Sequence, residues 1–312
     1  MKSFIKNIPL PICGLILSVF ALGNLLQDYN SAIKNISFLI GSILLLFILL
    51  KIVFYRRLLK EEVKNSLIAS TFPTLSMAII IYSTYIVKYS YNLGLGLWLF
   101  GILLHIYFLI RFTMNYLVSF DIKRVFPSWF IVYVGIVTAS VTAPIYNLNQ
   151  IGRIIFYFGF ISYLILLILV VYRWKIVKSI PEPASPTFAV FAAPASLCLA
   201  GYLNSFENKN SIVFTFLFIL SLSMYILVLS KLGKLIKIRF YPSFSAFTFP
   251  IVISAIAMKL SNNYLISIGK YFLVLKYFII LQEILASLIV IFVFIKYLNF
   301  FFFEILNNKK YS

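Results

Sequence analysis

The sequence predicts an all-α integral membrane fold of ten transmembrane helices, paired as five helical hairpins about a common axis. Three observations predict it: an apolar composition, a lopsided distribution of Lys and Arg, and a two-helix repeat marked by prolines. Of the 312 residues, 62% are hydrophobic and 11% charged. A soluble domain carries about 25% charged residues, so this chain has too little polar surface to face water on all sides.

A helix needs about 20 apolar residues to cross the roughly 30 Å hydrocarbon core. Ten stretches meet that need, at 8–27, 36–55, 67–87, 93–114, 127–146, 151–172, 186–205, 211–230, 242–260 and 273–296. They fill the chain, so residues 1–312 read as a single polytopic transmembrane domain. The first stretch follows Lys2 and Lys6 and resembles a signal peptide. It also fits a repeat found later in the chain, and on that ground it is expected to stay as a span.

The net charge of +19 would suit a nucleic-acid binder, but its distribution points elsewhere. With ten spans, twenty Lys and Arg fall on one side, including Arg56, Arg57, Lys60, Lys64, Lys231 and Lys234. Seven fall on the other: Lys34, Lys88, Arg153, Lys209, Lys259, Lys270 and Lys276. The positive-inside rule puts both termini of a multi-pass cell-membrane protein in the cytoplasm. Topology accounts for the charge, and no nucleic-acid partner is expected. A basic mouth would also attract anions. Cys13 and Cys198 are isolated within apolar spans and suggest neither a disulfide framework nor a metal site.

All eleven prolines lie in odd-numbered spans or their flanks. Residues 186–194 read PTFAVFAAP and residues 242–250 read PSFSAFTFP. Residues 127–135, PSWFIVYVG, keep the frame with Gly in the last place, and 65–73 and 3–11 keep the final Pro. The anchors Pro11, Pro73, Gly135, Pro194 and Pro250 are spaced by 62, 62, 59 and 56 residues, about one helical hairpin each. Span seven has ten Gly, Ala, Ser, Thr or Cys residues in twenty, whereas span eight has five and span ten two. Small residues allow close approach and bulky ones suit lipid, so odd spans are expected inside and even spans outside. Each inner proline removes a backbone N–H. In a membrane such backbone is tolerated where it is buried or lines a cavity. Five equivalent inner helices most simply ring a pore, which these anchors would shape.

The stretches PSFSAFTFPIVISAIA (242–257) and FAAPASLCLAGY (191–202) resemble the tellurite-resistance/C4-dicarboxylate transporter family. That family includes TehA-like tellurite-resistance proteins, the yeast malate transporter and the slow anion channels of plant guard cells. The resemblance implies a quasi-fivefold ring of hairpins, a central pore, a homotrimer, and a pore-blocking Phe before the proline of span nine, here Phe249. Counted at 1.5 Å per residue from Pro242, Phe249 lies roughly 10 Å into the bilayer. Phe247 is the competing ring, two positions away on another side of the helix. The plant relatives have long phosphorylated tails. Only a few residues precede span one here and about sixteen follow span ten, so that control is not expected.

The inner spans carry hydroxyls in place of charge. Thr248, Ser254, Ser196 and Ser140 join Phe247 as pore-lining candidates. Neutral hydroxyls and a constriction suit weak binding and passage of a partly dehydrated anion. The lone His105 in span four cannot build a metal site, and a structural, hydrogen-bonded role is expected. Glu283 is the one acid well inside a span, and an internal pair is expected. No metal-protease motif, phosphate loop or paired intramembrane acids occur, so no enzyme and no cofactor are expected. The function expected is an anion channel of the slow-anion type, with small anions such as chloride, nitrate or a dicarboxylate and the lipid bilayer as partners. The alternatives are a proton-coupled C4-dicarboxylate carrier and a tellurite-resistance permease.

Overall fold

A computed structural model gives the fold, describing the backbone of residues 2–308 and the side chains of 4–303. The described residues are helical, with no strand among them. A short helix α1 (Lys2–Asn7) leads to α2 (Ile12–Leu26). Then come α3 (Ser31–Phe54), a seven-residue α4 (Arg56–Glu62), and α5 (Ser66–Thr71) stepping into α6 (Thr74–Ile86). Helix α7 (Tyr91–Phe112) ends in a π-helical turn, Thr113–Leu117. The next segment is broken into α8 (Trp129–Val134), α9 (Val137–Thr142) and a 3-10 turn, Ala143–Tyr146. Helix α10 (Asn149–Tyr172) ends in a second π-helical turn, Arg173–Val177. A 3-10 stretch, Glu182–Ala192, runs into α11 (Ala193–Ser205), followed by α12 (Ser211–Leu235). Another, Pro242–Phe247, runs into α13 (Thr248–Ser267), and α14 (Leu273–Asn308) closes the chain.

Among the described residues, eight helical stretches are long and apolar enough to cross a membrane. Two of the ten expected spans fall outside that set for a physical reason. The first is short in α-helix, since Pro9 and Pro11 delay α2 to Ile12 and leave 15 residues. The fifth is broken at Gly135. The last helix runs on past the expected end at 296, to Asn308.

The segments alternate between two kinds. Helices α3, α7, α10, α12 and α14 run through without interruption up to their ends. The segments between them change pitch or direction at the anchors. Pro11 and Pro73 occupy the N-caps of α2 and α6, Gly135 separates α8 from α9, and Pro194 and Pro250 stand in the first turns of α11 and α13. Proline at a helix start loses nothing, because its missing N–H has no intrahelical acceptor there. The interrupted stretches Ser66–Ile86, Glu182–Ser205 and Pro242–Ser267 are 78–100% buried, and the uninterrupted ones 28–39%. Helix α2 packs on α6, α6 on α9, α9 on α11, α11 on α13, and α13 on α2.

Glycines set two of the close approaches. A Cβ on Gly101 of α7 would lie 2.7 Å from Ile80 Cγ1, and one on Gly41 of α3 would run into the Phe20 ring. Both bring an outer helix onto an inner one.

Candidate functional site

Residues of all five interrupted segments converge on one small cavity of about 40 Å³. Pro11, Pro194, Pro250 and Gly135 line it, with Thr71 and Thr74 on either side of Pro73. The repeat thus brings its anchors to one level. No ionisable side chain lines the cavity.

Two wider cavities flank this neck. One, of about 490 Å³, shares Pro11 and Thr71 with it and is lined by Lys6, Glu62, Asn65 and Tyr241 among others. The second, of about 290 Å³, lies on the far side and holds Asn24, Asp28, Lys34, Thr84, Asn204 and Lys259. Phe249 and Leu197 line both the neck and this second cavity, so they form the wall between them. Phe249 is 6% exposed and Leu197 2%. The 3-10 stretch before Phe249 rises about 2.0 Å per residue, which puts the ring about 13 Å from Pro242, deeper than α-helical counting gives.

The other candidates have different surroundings. Phe247 is fully buried against Phe244, with ring centroids 5.1 Å apart in an edge arrangement. Phe247, Thr248, Ser254, Ser196 and Ser140 line none of these three cavities. The hydroxyls serve the broken backbone and join helices. The Thr248 hydroxyl donates to the Ser245 carbonyl (2.6 Å), and Ser18 donates to Thr248 (2.6 Å). Ser254 donates to the Pro250 carbonyl (2.8 Å) and Ser196 to that of Ala192 (2.7 Å). Ser196 also meets Ser254 at 3.0 Å and Ser221 of α12 at 2.8 Å. Ser140 lies 3.1 Å from the Ser205 hydroxyl of α11. Each of these carbonyls lies within a turn or so of a break, where a hydroxyl adds a donor that water would supply outside a membrane.

His105 does the same work from an outer helix. Its Nε2 lies 3.0 Å from the Val132 carbonyl and its Nδ1 2.9 Å from the Ser76 hydroxyl. With Nε2–H donating to Val132 and Ser76 donating to Nδ1, one neutral ring satisfies both. Val132 lies just before the break at Gly135, where a Cβ would meet Met77 Sδ at 2.7 Å and the His105 ring at 3.0 Å. The missing fifth proline and the lone histidine are thus one feature. The expected hydrogen-bonded role for His105 is what the geometry gives.

Leu197 and a polar cluster beside the second cavity escaped the sequence reading. Lys259 Nζ donates to the Leu25 carbonyl (2.9 Å) and pairs with Asp28 (3.0 Å) and with buried Glu283 of α14 (3.3 Å). Tyr29 donates to Glu283 at 2.6 Å. That bond, with partial burial and the nearby charges of Glu283 and Asp28, pushes the Tyr29 hydroxyl up to about 12. Glu283 therefore has the internal pair expected of it. Leu197 could have been found one turn beyond Pro194 on the same face. The Lys259–Glu283 pair joins residues 24 apart, and the spacing gives no sign of it.

A buried apolar neck where all five interrupted segments meet, between two wider cavities that hold charged and amide side chains, is a feature of a conduit across a bilayer. The family model described as voltage-dependent anion channel matches residues 7–298. The chain belongs to the voltage-dependent anion channel family. The family resemblance seen in the two quoted stretches therefore extends over nearly the whole sequence. The chain is 28% identical over 287 residues to an uncharacterized transporter of Methanocaldococcus jannaschii, covering 80% of this chain and 84% of the relative. A second uncharacterized transporter of that organism is 24% identical over 216 residues, 61% of this chain and 62% of the relative. This voltage-dependent anion channel family member is a multi-pass membrane protein, and its family and relatives carry the names of channels and transporters rather than enzymes.

Proposed function

We propose that the chain is an anion channel of the slow-anion type, with its ten transmembrane helices set as five hairpins in a quasi-fivefold ring. The pore follows the ring's axis, and Phe249 holds it shut with Leu197 against it. One observation carries this reading: Phe249 is common to the neck and to the wider cavity beyond it. A narrow apolar constriction gates by excluding water, because an ion entering it loses hydration and gains no ligand. The anchors Pro11, Pro73, Gly135, Pro194 and Pro250 shape the neck. Small anions such as chloride, nitrate or a dicarboxylate are the proposed cargo, both termini lie in the cytoplasm, and the assembly is a homotrimer with one pore per subunit. Residues 1–312 act as one domain.

A proton-coupled C4-dicarboxylate carrier needs a titrating group on the transport path. Nothing ionisable lines the neck, and the acids beside it are paired, Glu62 with Lys51 and both Asp28 and Glu283 with Lys259. The channel reading is therefore preferred.

Flux of chloride and nitrate into liposomes tests it. Truncating Phe249→Ala should admit water to the neck and raise anion flux by about tenfold or more. Equal flux for this variant and the parent, both correctly assembled, would remove Phe249 as the gate. Topology is tested by single cysteines at Lys60, Lys234 and Lys209. The native Cys13 and Cys198 are buried, which keeps background labelling low. The first two positions should react only from the cytoplasmic side and the third only from outside. Labelling of Lys60→Cys and Lys209→Cys from one side would overturn the ten-span topology.

A further inference from the structure

The largest of the cavities described lies away from the axis. It measures about 680 Å³ and opens where α4, the end of α5 and the π-helical end of α7 meet. Four cations line it: Lys60, Lys64, Arg111 and Arg124. No acidic side chain lines it. Glu61 and Asp121 sit nearby in exposed pairs with Lys64 (2.7 Å) and Arg124 (3.8 Å), and such pairs are worth little. Arg111 makes no hydrogen bond or ion pair among the described residues. The rest of the lining includes aromatic and aliphatic side chains, and Tyr107, one turn before Arg111 on α7, is 56% exposed.

The next hairpin offers a contrast. Arg173 and Arg111 both stand near the ends of outer helices that finish in a π-helical turn, Arg173 as the first residue of its turn and Arg111 two residues before its own. Arg173 is 2% exposed, and its guanidinium is used within the chain. It donates to the carbonyls of Lys178, Ser179 (3.2 Å) and Lys123 (3.4 Å). In the preceding hairpin Arg111 bonds no loop carbonyl among the described residues. Tyr116 instead ties the loop down by donating to the carbonyls of Val63 and Lys64, each at 2.9 Å. The guanidinium of Arg111 is left facing an amphipathic hollow at the basic end of the helices.

We infer that this cavity binds an anionic phospholipid, its phosphate held by Arg111 and Lys60 with Lys64 and Arg124 at the rim, and an acyl chain laid along the Tyr107 and Phe108 side of α7. Charge and position both favour a lipid over a soluble anion. Basic pockets between transmembrane helices hold lipid headgroups where the polar part faces the interface and the apolar part the bilayer. A planar guanidinium takes two phosphate oxygens at once. A bound lipid would pin the α4–α5 loop to the end of α7. Phe72 also lines the cavity and is followed by Pro73, so occupancy bears directly on one of the five breaks. The inference does not depend on Phe249 or on the cargo of the pore.

The test is native mass spectrometry of the full chain in detergent, titrated with phosphatidylglycerol and separately with phosphatidylcholine. The readout is the ratio of the two affinities within each variant, so a general loss of stability cancels. The parent should prefer phosphatidylglycerol. Each basic side chain lost should weaken that preference by about fivefold, so Arg111→Gln with Lys60→Gln should reduce it by about 25-fold. Lys231→Gln with Lys234→Gln removes the same charge from the exposed end of α12 and should leave the ratio nearly unchanged. Equal binding of the two lipids by the parent would overturn the inference, as would an equal loss in the α12 variant. Displacement of phosphatidylglycerol by inorganic phosphate at matching concentration would show that a free anion is the ligand, and that outcome also overturns it.

Discussion

The interrupted inner segments and the continuous outer helices share a membrane and a hairpin, yet they solve the backbone problem differently. Outer helices such as α3 and α12 close their own hydrogen bonds along their length and show bulky side chains to the lipid. Leu39 and Ile43 on α3, and Ile219 and Ile226 on α12, are all exposed. Inner segments give up regular bonding at Pro11, Pro73, Gly135, Pro194 and Pro250, and the cost is met by neighbours. Thr138, Ser196 and Ser254 each return a hydroxyl proton to a carbonyl at or near the break, at 2.7 or 2.8 Å. Breaks are therefore confined to segments that are surrounded by protein. The inner set gains a level at which five segments bend together and leave a narrow gap.

Glycine substitutions offer the hardest challenge to this comparison. Gly135→Leu places a side chain into Met77 and His105, and the protein should fail to assemble. Gly96→Leu on outer α7 meets no atom within 4 Å of its Cβ, and yield and melting temperature should stay near the parent's. Comparable yields of the two variants, read by size-exclusion profile in detergent, would break the distinction.

Phe247→Ala removes a fully buried ring from the Phe244 contact. It should destabilise by about 3 kcal/mol and leave anion flux low. That separates it from Phe249→Ala, two positions away, where flux should rise. A rise in flux for Phe247→Ala would mean that packing near Pro250, and not the ring in the neck, keeps the path closed.

The smallest effects are expected where an outer helix serves an inner one. His105→Gln loses the bond to the Val132 carbonyl and should cost about 1–2 kcal/mol, with flux retained. Glu283→Gln removes a charge from the Lys259 pair and should likewise leave flux intact. Loss of flux in either variant, with normal assembly, would favour proton coupling over a passive channel.

Much of this was legible in the sequence, because a proline leaves the same mark in one dimension as in three. The anchors at intervals near 60 gave the breaks, and the small residues of 186–205 gave the inside. The hydroxyls were harder to place. Inner segments are buried on every side, so no apolar stripe tells which face of α11 or α13 meets the axis. A serine that seals a broken helix looks the same in sequence as one that wets a pore, and Ser140, Ser196 and Ser254 prove to make bonds between helices and to their own carbonyls. Leu197 was invisible for the opposite reason, being one leucine among many. His105 was read as structural, but its pairing with Gly135 required the fold.

The position of the neck between two wider cavities has an electrical consequence for the proposed pore. If the cavity holding Asn24, Thr84 and Asn204 fills with water, it would stay near the potential of the bath it faces. The membrane voltage would then fall across the short apolar layer at Phe249 and Leu197 and not evenly over the bilayer. A unit charge crossing the full potential exchanges about 2.3 kcal/mol per 100 mV, and in such a pore nearly all of that work would be done within the depth of one aromatic ring. A single charged side chain introduced at Leu197 would feel a field several times steeper than one placed on any outer helix.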